Sequence, residues 1–304
     1  MIVNAKETRI VASFGRYGNL RFYDVDKRRE HTLSIGNEST VLMAYGGKEG
    51  LIVTLETASQ SQLFELSARA IADPTEVLAR IHVDGSSYKF EGDDKCWLSL
   101  PKYYYAFPNL ITIENGTALS VDNLDKADYT SVNLRGEGFV GATPVPNTEF
   151  VLLSQVHDSN LVLYDPHKGK MLRTISLAER HSHPNVFFHP SGNEFWATDY
   201  DTVVRVEVEG WSKTGEFRIE FGDGRFDRRF IGYIAFRQDG EFCAVARPYS
   251  HDAVVMNAKS FTVVGRVELA GAPYDLALLS SGEIIAAWYP PHPWLTGSFT
   301  FPTS

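Results

Sequence analysis

Short clusters of ionisable and aromatic residues stand just beyond the ends of apolar runs: His157-Asp158, Asp199-Tyr-Asp201, Arg247-Pro-Tyr249-Ser-His251-Asp252 and Trp288-Tyr289-Pro-Pro-His292. A second set stands at the starts of such runs, with His183 and Asn185, Gly232 and Tyr233, Tyr274 and Asp275. Imidazole and carboxylate can exchange protons near neutral pH, and a guanidinium can hold a developing anion. His183, Asp199, Arg247, Tyr249 and His251 are therefore the candidates for acid, base and anion clamp. Asn185, His157, Tyr233, Tyr274, Asp275, Trp288 and Tyr289 are the candidates for holding a ligand. Turn chemistry offers a competing reading, because Asp, Asn, Ser and His are common in loops for the hydrogen bonds they give their own backbone.

The sequence motifs of the common catalytic classes are absent: there is no GxSxG, HExxH, GxxxxGK, helix-opening GxGxxG or DxDxDG. Ser86-Ser-Tyr-Lys89 matches SxxK but falls in a strand and turn rather than at a helix start. Imidazoles and carboxylates from separate loops could converge on a metal and leave a coordination position open. Arg247 among them opposes a cation, so no metal ligand is assigned and the cofactor stays open. His189 precedes a Pro-Ser-Gly turn and reads as a turn residue.

The elements that must position these clusters repeat. Asn19-Leu-Arg-Phe-Tyr-Asp24 matches Asn160-Leu-Val-Leu-Tyr-Asp165, and each is followed by a polar turn and a second apolar stretch, Thr32 to Ile35 or Thr174 to Leu177. That is strand, turn, strand with side chains alternating between faces. Another unit, an apolar run broken by a tight turn, recurs at His189-Pro-Ser-Gly192, Arg237-Gln-Asp-Gly240 and Leu279-Ser-Ser-Gly282, with a fourth copy at Val145-Pro-Asn-Thr148. The first large apolar residues after these turns and their counterparts are Ile10, Leu51, Trp97, Phe150, Phe195, Phe242 and Ile284, spaced 41 to 53 residues apart. A four-stranded propeller blade takes about 40–50 residues, so the spacing predicts an all-β, single-domain, seven-bladed β-propeller over 1–304.

The longest interval is expected to hold an extra loop near Asp122 to Asp128. The ring is expected to close through Ile2 to Ala5 pairing with the last blade, leaving that blade three-stranded. Ser61 to Ala72 has some helical spacing, but the flanking repeat makes it a strand and loop.

Gly271-Ala-Pro-Tyr-Asp-Leu-Ala-Leu-Leu-Ser-Ser-Gly282 with Glu-Ile-Ile-Ala-Ala-Trp288, and His183-Pro-Asn-Val-Phe-Phe-His-Pro-Ser-Gly192, resemble the repeat of YVTN-type, WD40-like propellers. Neither the Trp-Asp signature of WD40 repeats nor a Kelch double-glycine series is present. The resemblance implies a fold, and with it a face at the mouth of the central channel, built from the loops entering the first strand of each blade and those joining its second to its third. Both sets of candidate residues fall on that face. Metal-dependent propeller hydrolases of similar fold use Glu, Asn and Asp there, whereas the matching positions here are Glu56, Gln155, Asp199, Arg247 and Trp288, too mixed for a site.

A net charge of −9 argues against a phosphate-tracking surface, so nucleic acid is not an expected partner. No run approaches 18 apolar residues and the first residues lack an apolar leader core, which predicts a cytoplasmic chain without a membrane partner. Cys96 and Cys243 read as reduced core residues. Two functions fit. One is a binding module taking a protein or small molecule on the channel-mouth face. The other is a lyase, cyclase or hydrolase acting there on a small hydrophobic or carbonyl-bearing substrate.

Overall fold

The structure is a computed structural model that describes residues 2–3, 6–13, 19–34, 40–44, 51–57, 63–70, 73, 75, 77–84, 96–97, 103–106, 109–114, 118–123, 139–146, 148, 150–155, 159–165, 168, 170–177, 184–220, 230–287 and 294–302. They form antiparallel sheets of three or four strands, with no α-helix among them. Two compact units are distinguished. The first comprises residues 1–155 and 162–174, the second residues 156–161 and 175–304.

In the first unit, Ile2–Val3, Arg9–Ser13, Asn19–Asp24 and Arg29–Ser34 make one sheet in chain order. Thr40–Ala44, Leu51–Thr57, Leu63–Ala70 and Val77–Asp84 make the next. Cys96–Trp97, Tyr103–Ala106, Asn109–Glu114 and Ala118–Asn123 follow. Phe139–Pro144, Val151–Gln155, Asn160–Asp165 and Lys170–Ser176 form a further sheet, whose third strand begins among the residues grouped with the second unit.

The second unit contains the sheet Asn185–Phe188, Glu194–Asp199, Thr202–Glu207, Lys213–Arg218 and the sheet Ile234–Phe236, Phe242–Arg247, Asp252–Asn257, Thr262–Glu268. It ends with a three-stranded sheet of Asp275–Leu278, Glu283–Ala287 and Leu295–Ser298.

Strand position decides composition. Second and third strands such as Phe242–Arg247 and Asp252–Asn257 are buried almost throughout, because neighbouring sheets cover both their faces, and they read as continuous apolar runs. Last strands such as Lys213–Arg218 are largely exposed and alternate. Trp196 is fully buried, with Phe217, Phe236 and Phe261 at centroid distances of 5.4, 4.9 and 5.2 Å, and so has the core role that bulky aromatics take between sheets.

The recurring turns have a backbone reason. Gly192, Gly240 and Gly282 take φ of 72°, 76° and 87°, a region that costs a residue with a Cβ about 1–2 kcal/mol. Each N–H donates to the carbonyl three residues back, on His189, Arg237 and Leu279. His189 is structural, as its place before the turn predicts. Its Nδ1 meets Ser191 Oγ at 2.8 Å and its Nε2 meets the Gly240 carbonyl at 3.0 Å, tying the turns of adjacent sheets.

The matched Tyr-Asp segments are also explained. Asp24 and Asp165 each accept the backbone N–H three residues on, at 3.3 and 3.1 Å, and each pairs with that residue's ammonium, Lys27 at 3.1 Å and Lys168 at 3.0 Å. Removing the Asp165 carboxylate orphans a backbone donor, so Asp165→Ala is expected to lower the unfolding free energy by about 1–2 kcal/mol, read from urea unfolding at unchanged m. The exposed Lys168 should contribute little, and Lys168→Ala within about 0.5 kcal/mol of wild type is the control.

Three expectations change. Ile2–Val3 pairs with Arg9–Ser13 in its own sheet, not with the last one, through Ile2↔Val11 and Val3↔Ile10. A short hairpin through Glu7 (φ 54°), the counterpart of the glycine turns, brings these strands together locally. Trp97 lies in the first strand of its sheet, where the other anchors lie in or beside second strands. Asp122 belongs to the strand Ala118–Asn123, and the rest of the expected loop lies outside the described residues. Ser61 to Ala72 contributes the strand Leu63–Ala70, as its repeat context predicts.

Candidate functional site

In the second unit, strand register brings the start of each first strand beside the end of the second. Asn185 pairs with Thr198, Ile234 with Val245 and Asp275 with Ala287. Adjacent sheets meet at this end. The Ile231 N–H donates to the Tyr200 carbonyl at 3.0 Å, and a Cβ at Gly232 would lie 2.9 Å from Pro248 Cγ and 3.0 Å from the Pro273 carbonyl. Asn185, Asp199, Tyr233, Arg247, Tyr249, His251, Tyr274 and Asp275 therefore share one end of this unit. His157, His183, Trp288 and Tyr289 lie outside the described residues.

The charged groups here are buried and engaged. Arg247 and Asp252 face each other in register across a hairpin whose tip is the 3₁₀ turn Pro248–Ser250. Arg247 Nε donates to Asp252 Oδ1 at 2.7 Å, its Nη2 donates to Oδ2, and its Nη1 donates to the Glu220 carbonyl. Arg266 adds a second guanidinium to Asp252 Oδ2. Asp252 is 0 % and Arg247 5 % exposed, so this bidentate pair is a charge-assisted contact in low dielectric. Asp199 is buried and accepts from Ser159 Oγ at 3.3 Å. Asp201 is buried and pairs with Arg218 at 3.1 Å.

The exposed groups differ in kind. Tyr249, at the hairpin tip, is 52 % exposed, and His251 beside it is exposed in the left-handed region at φ 56°. Asn185 is exposed too. Tyr233 is partly buried, its ring edge-on to Phe187 at 4.8 Å. Burial pushes its phenol well above the usual range and the neighbouring Asp275 carboxylate pushes it further, so the hydroxyl stays protonated at any physiological pH. The Cys243 thiol is likewise raised by burial. Among the described residues, no group of three or more His, Cys, Asp or Glu side chains could hold a metal ion.

The sequence reading selected Arg247 for its type and placed Asp252 nearby without assigning the pair. The signal was available: opposite charges flank Pro248 to His251, and a hairpin through that turn puts them opposite each other. Asp201 with Arg218 carried no comparable signal, since the partner comes from the next strand.

The sequence matches no known family profile and no curated protein. Its structure is similar to the crystal structure of the β-propeller domain of Myceliophteria thermophila Cps50 (Swd1), with a TM-score of 0.67 at 13 % identity over 98 % of this chain and 95 % of that one. The likeness shows the fold: the chain is a β-propeller, as the repeat predicted. Among the described residues, no helix is long and apolar enough to cross a membrane.

Proposed function

We propose that the chain is one seven-bladed propeller, its last blade three-stranded, that works in the cytoplasm as a recognition module binding a protein or small molecule on its channel-mouth face. The observation that carries this reading is the division of labour at the strand ends of the second unit. Arg247, which an enzyme of this kind would need as an anion clamp, gives its donors to Asp252 and to the Glu220 carbonyl, both from its own sheet or the segment before it. What the same hairpin leaves to solvent is a tyrosine and a histidine, residues that combine contact area with a polar tip and are enriched at binding hot spots in the case of tyrosine. The repeat assigns His157, His183, Trp288 and Tyr289 to the same face as Asn185, Tyr274 and Asp275. The alternative, chemistry by His183, Asp199, Arg247, Tyr249 and His251, requires Arg247 to leave its partner.

Selection of a random-peptide and a small-molecule library on the immobilised chain tests the reading. Binders are expected to lose at least about ten-fold in affinity on the Tyr249→Ala, His251→Ala double variant, and little on Val263→Ser, an exposed position on the last strand of the same sheet. Equal binding to both variants, or turnover of a selected compound that vanishes in Asp199→Asn, would overturn it.

A further inference from the structure

Each of the four-stranded sheets ends on a strand that carries charge, from Arg29 in the first to Lys213, Arg218 and Arg266 in the second unit. Charged side chains on an edge strand discourage another chain from adding to its unpaired backbone. The last sheet differs twice: among the described residues it stops at three strands, and its final strand, Leu295-Thr-Gly-Ser298, has no charge. Third strands of the two preceding sheets are almost wholly buried, whereas Thr296 and Ser298 are exposed.

The direction of the backbone groups on this last strand follows from the ladder. The Phe299 N–H donates to the Gly282 carbonyl at 2.9 Å, continuing the register Ile284↔Gly297 and Glu283↔Ser298. Alternate residues of a strand direct their backbone groups to opposite sides. Gly297 and Leu295 therefore bond inward to Glu283–Ala287, and Thr296 and Ser298 direct N–H and C=O outward.

We propose that this outward edge accepts an extended, basic segment of a partner protein as a fourth strand. Main-chain hydrogen bonds at Thr296 and Ser298 would supply the affinity, as in other cases of strand addition. The choice of a basic segment rests on Glu283, opposite Ser298, on Glu268, whose backbone lies beside Gly297, and on the net charge of −9. Two copies of so acidic a chain repel each other, which disfavours pairing of this edge with itself.

The test uses the full chain and a pool of capped ten-residue peptides in which Lys or Arg alternates with Thr, Val or Ile. Fluorescence anisotropy reads binding, and hydrogen–deuterium exchange reads its place. The expected result is saturable binding, slowed exchange confined to about residues 294–299, and at least ten-fold weaker binding to Thr296→Pro. Proline removes an outward N–H and spares the inward ladder, so the variant should fold. Thr296→Val, which keeps the N–H, should bind like wild type, and Glu283→Gln with Glu268→Gln should weaken binding about three-fold. The proposal is overturned if the pool does not bind, if the Thr296 and Ser298 amides are already protected in the free chain, if their protection grows with protein concentration alone, or if Thr296→Pro binds as wild type does.

Discussion

Gly282→Ala is expected to be the most damaging single-methyl substitution in the second unit, lowering its stability by about 3–5 kcal/mol. Two independent costs combine. The residue holds φ of 87°, where a Cβ-bearing residue is strained by about 1–2 kcal/mol. The added carbon would also sit 2.0 Å from the Phe299 carbonyl oxygen, a backbone atom that no rotamer change can withdraw. The Phe299 N–H bonds to Gly282, so relief requires breaking the start of the last hairpin and freeing Phe299 and Phe301 from the cluster formed by Phe242, Leu278 and Ile284. The measurement is the urea midpoint of full-length wild type and variant, with exchange protection of residues 283–287 as local readout. Gly240→Ala, at φ 76°, meets the His189 side chain rather than backbone, and should cost less, the loss being the ring's bonds to Ser191 and the Gly240 carbonyl. Equal midpoints for Gly282→Ala and wild type would show that the turn relaxes freely, and the argument from backbone contact would fail.

Asp252→Ala is expected to cost a similar amount, about 3–5 kcal/mol, for an electrostatic reason. It leaves the Arg247 guanidinium buried at 5 % exposure without its bidentate partner, and the penalty is the desolvated charge rather than the worth of the pair. The half-exposed Arg266 can turn to solvent and adds little. A variant that removes both charges, Asp252→Leu with Arg247→Met, should recover most of the loss, because an apolar pair of similar volume needs no compensation. A double-mutant cycle on unfolding free energies measures the coupling, expected above about 2 kcal/mol. If Asp252→Ala alone unfolds like wild type, Arg247 has another anchor and could still serve as an anion clamp, which would revive the enzymatic reading.

Turn chemistry made part of the fold legible in the sequence. Positive φ favours glycine, so Gly192, Gly240 and Gly282 mark their hairpins without reference to anything distant. Asp24 and Asp165 mark theirs because a carboxylate capping a backbone N–H is also a local matter. Within Ile2 to Ala5, the strand Ile2–Val3 does not pair with the last sheet as expected, because so short a segment carries no periodicity that distinguishes a partner in the first sheet from one in the last. Trp97 stands one strand earlier than its spacing implies, because spacing counts residues and not strands.

At the candidate site the sequence supplied residue types and the end of the strands on which they lie. It did not say which would be consumed by pairing. Asp199, Arg247 and Asp252 look as available in the sequence as Tyr249 and His251, and burial alone separates them. Burial depends on the sheets stacking on either side, a non-local outcome that residue spacing does not encode.

Tyr200 and His251 each precede a third strand in the left-handed region, at φ 53° and 56°, although glycine would sit there without strain. Among residues with a Cβ, Asn, Asp and His take this conformation most readily and β-branched residues least. The backbone at these hairpin tips therefore admits glycine and unbranched side chains and resists β-branched ones. Within that set, substitution at the exposed His251 can rewrite what the surface recognises, and a graft or a library would be placed there to redirect the molecule to a chosen ligand.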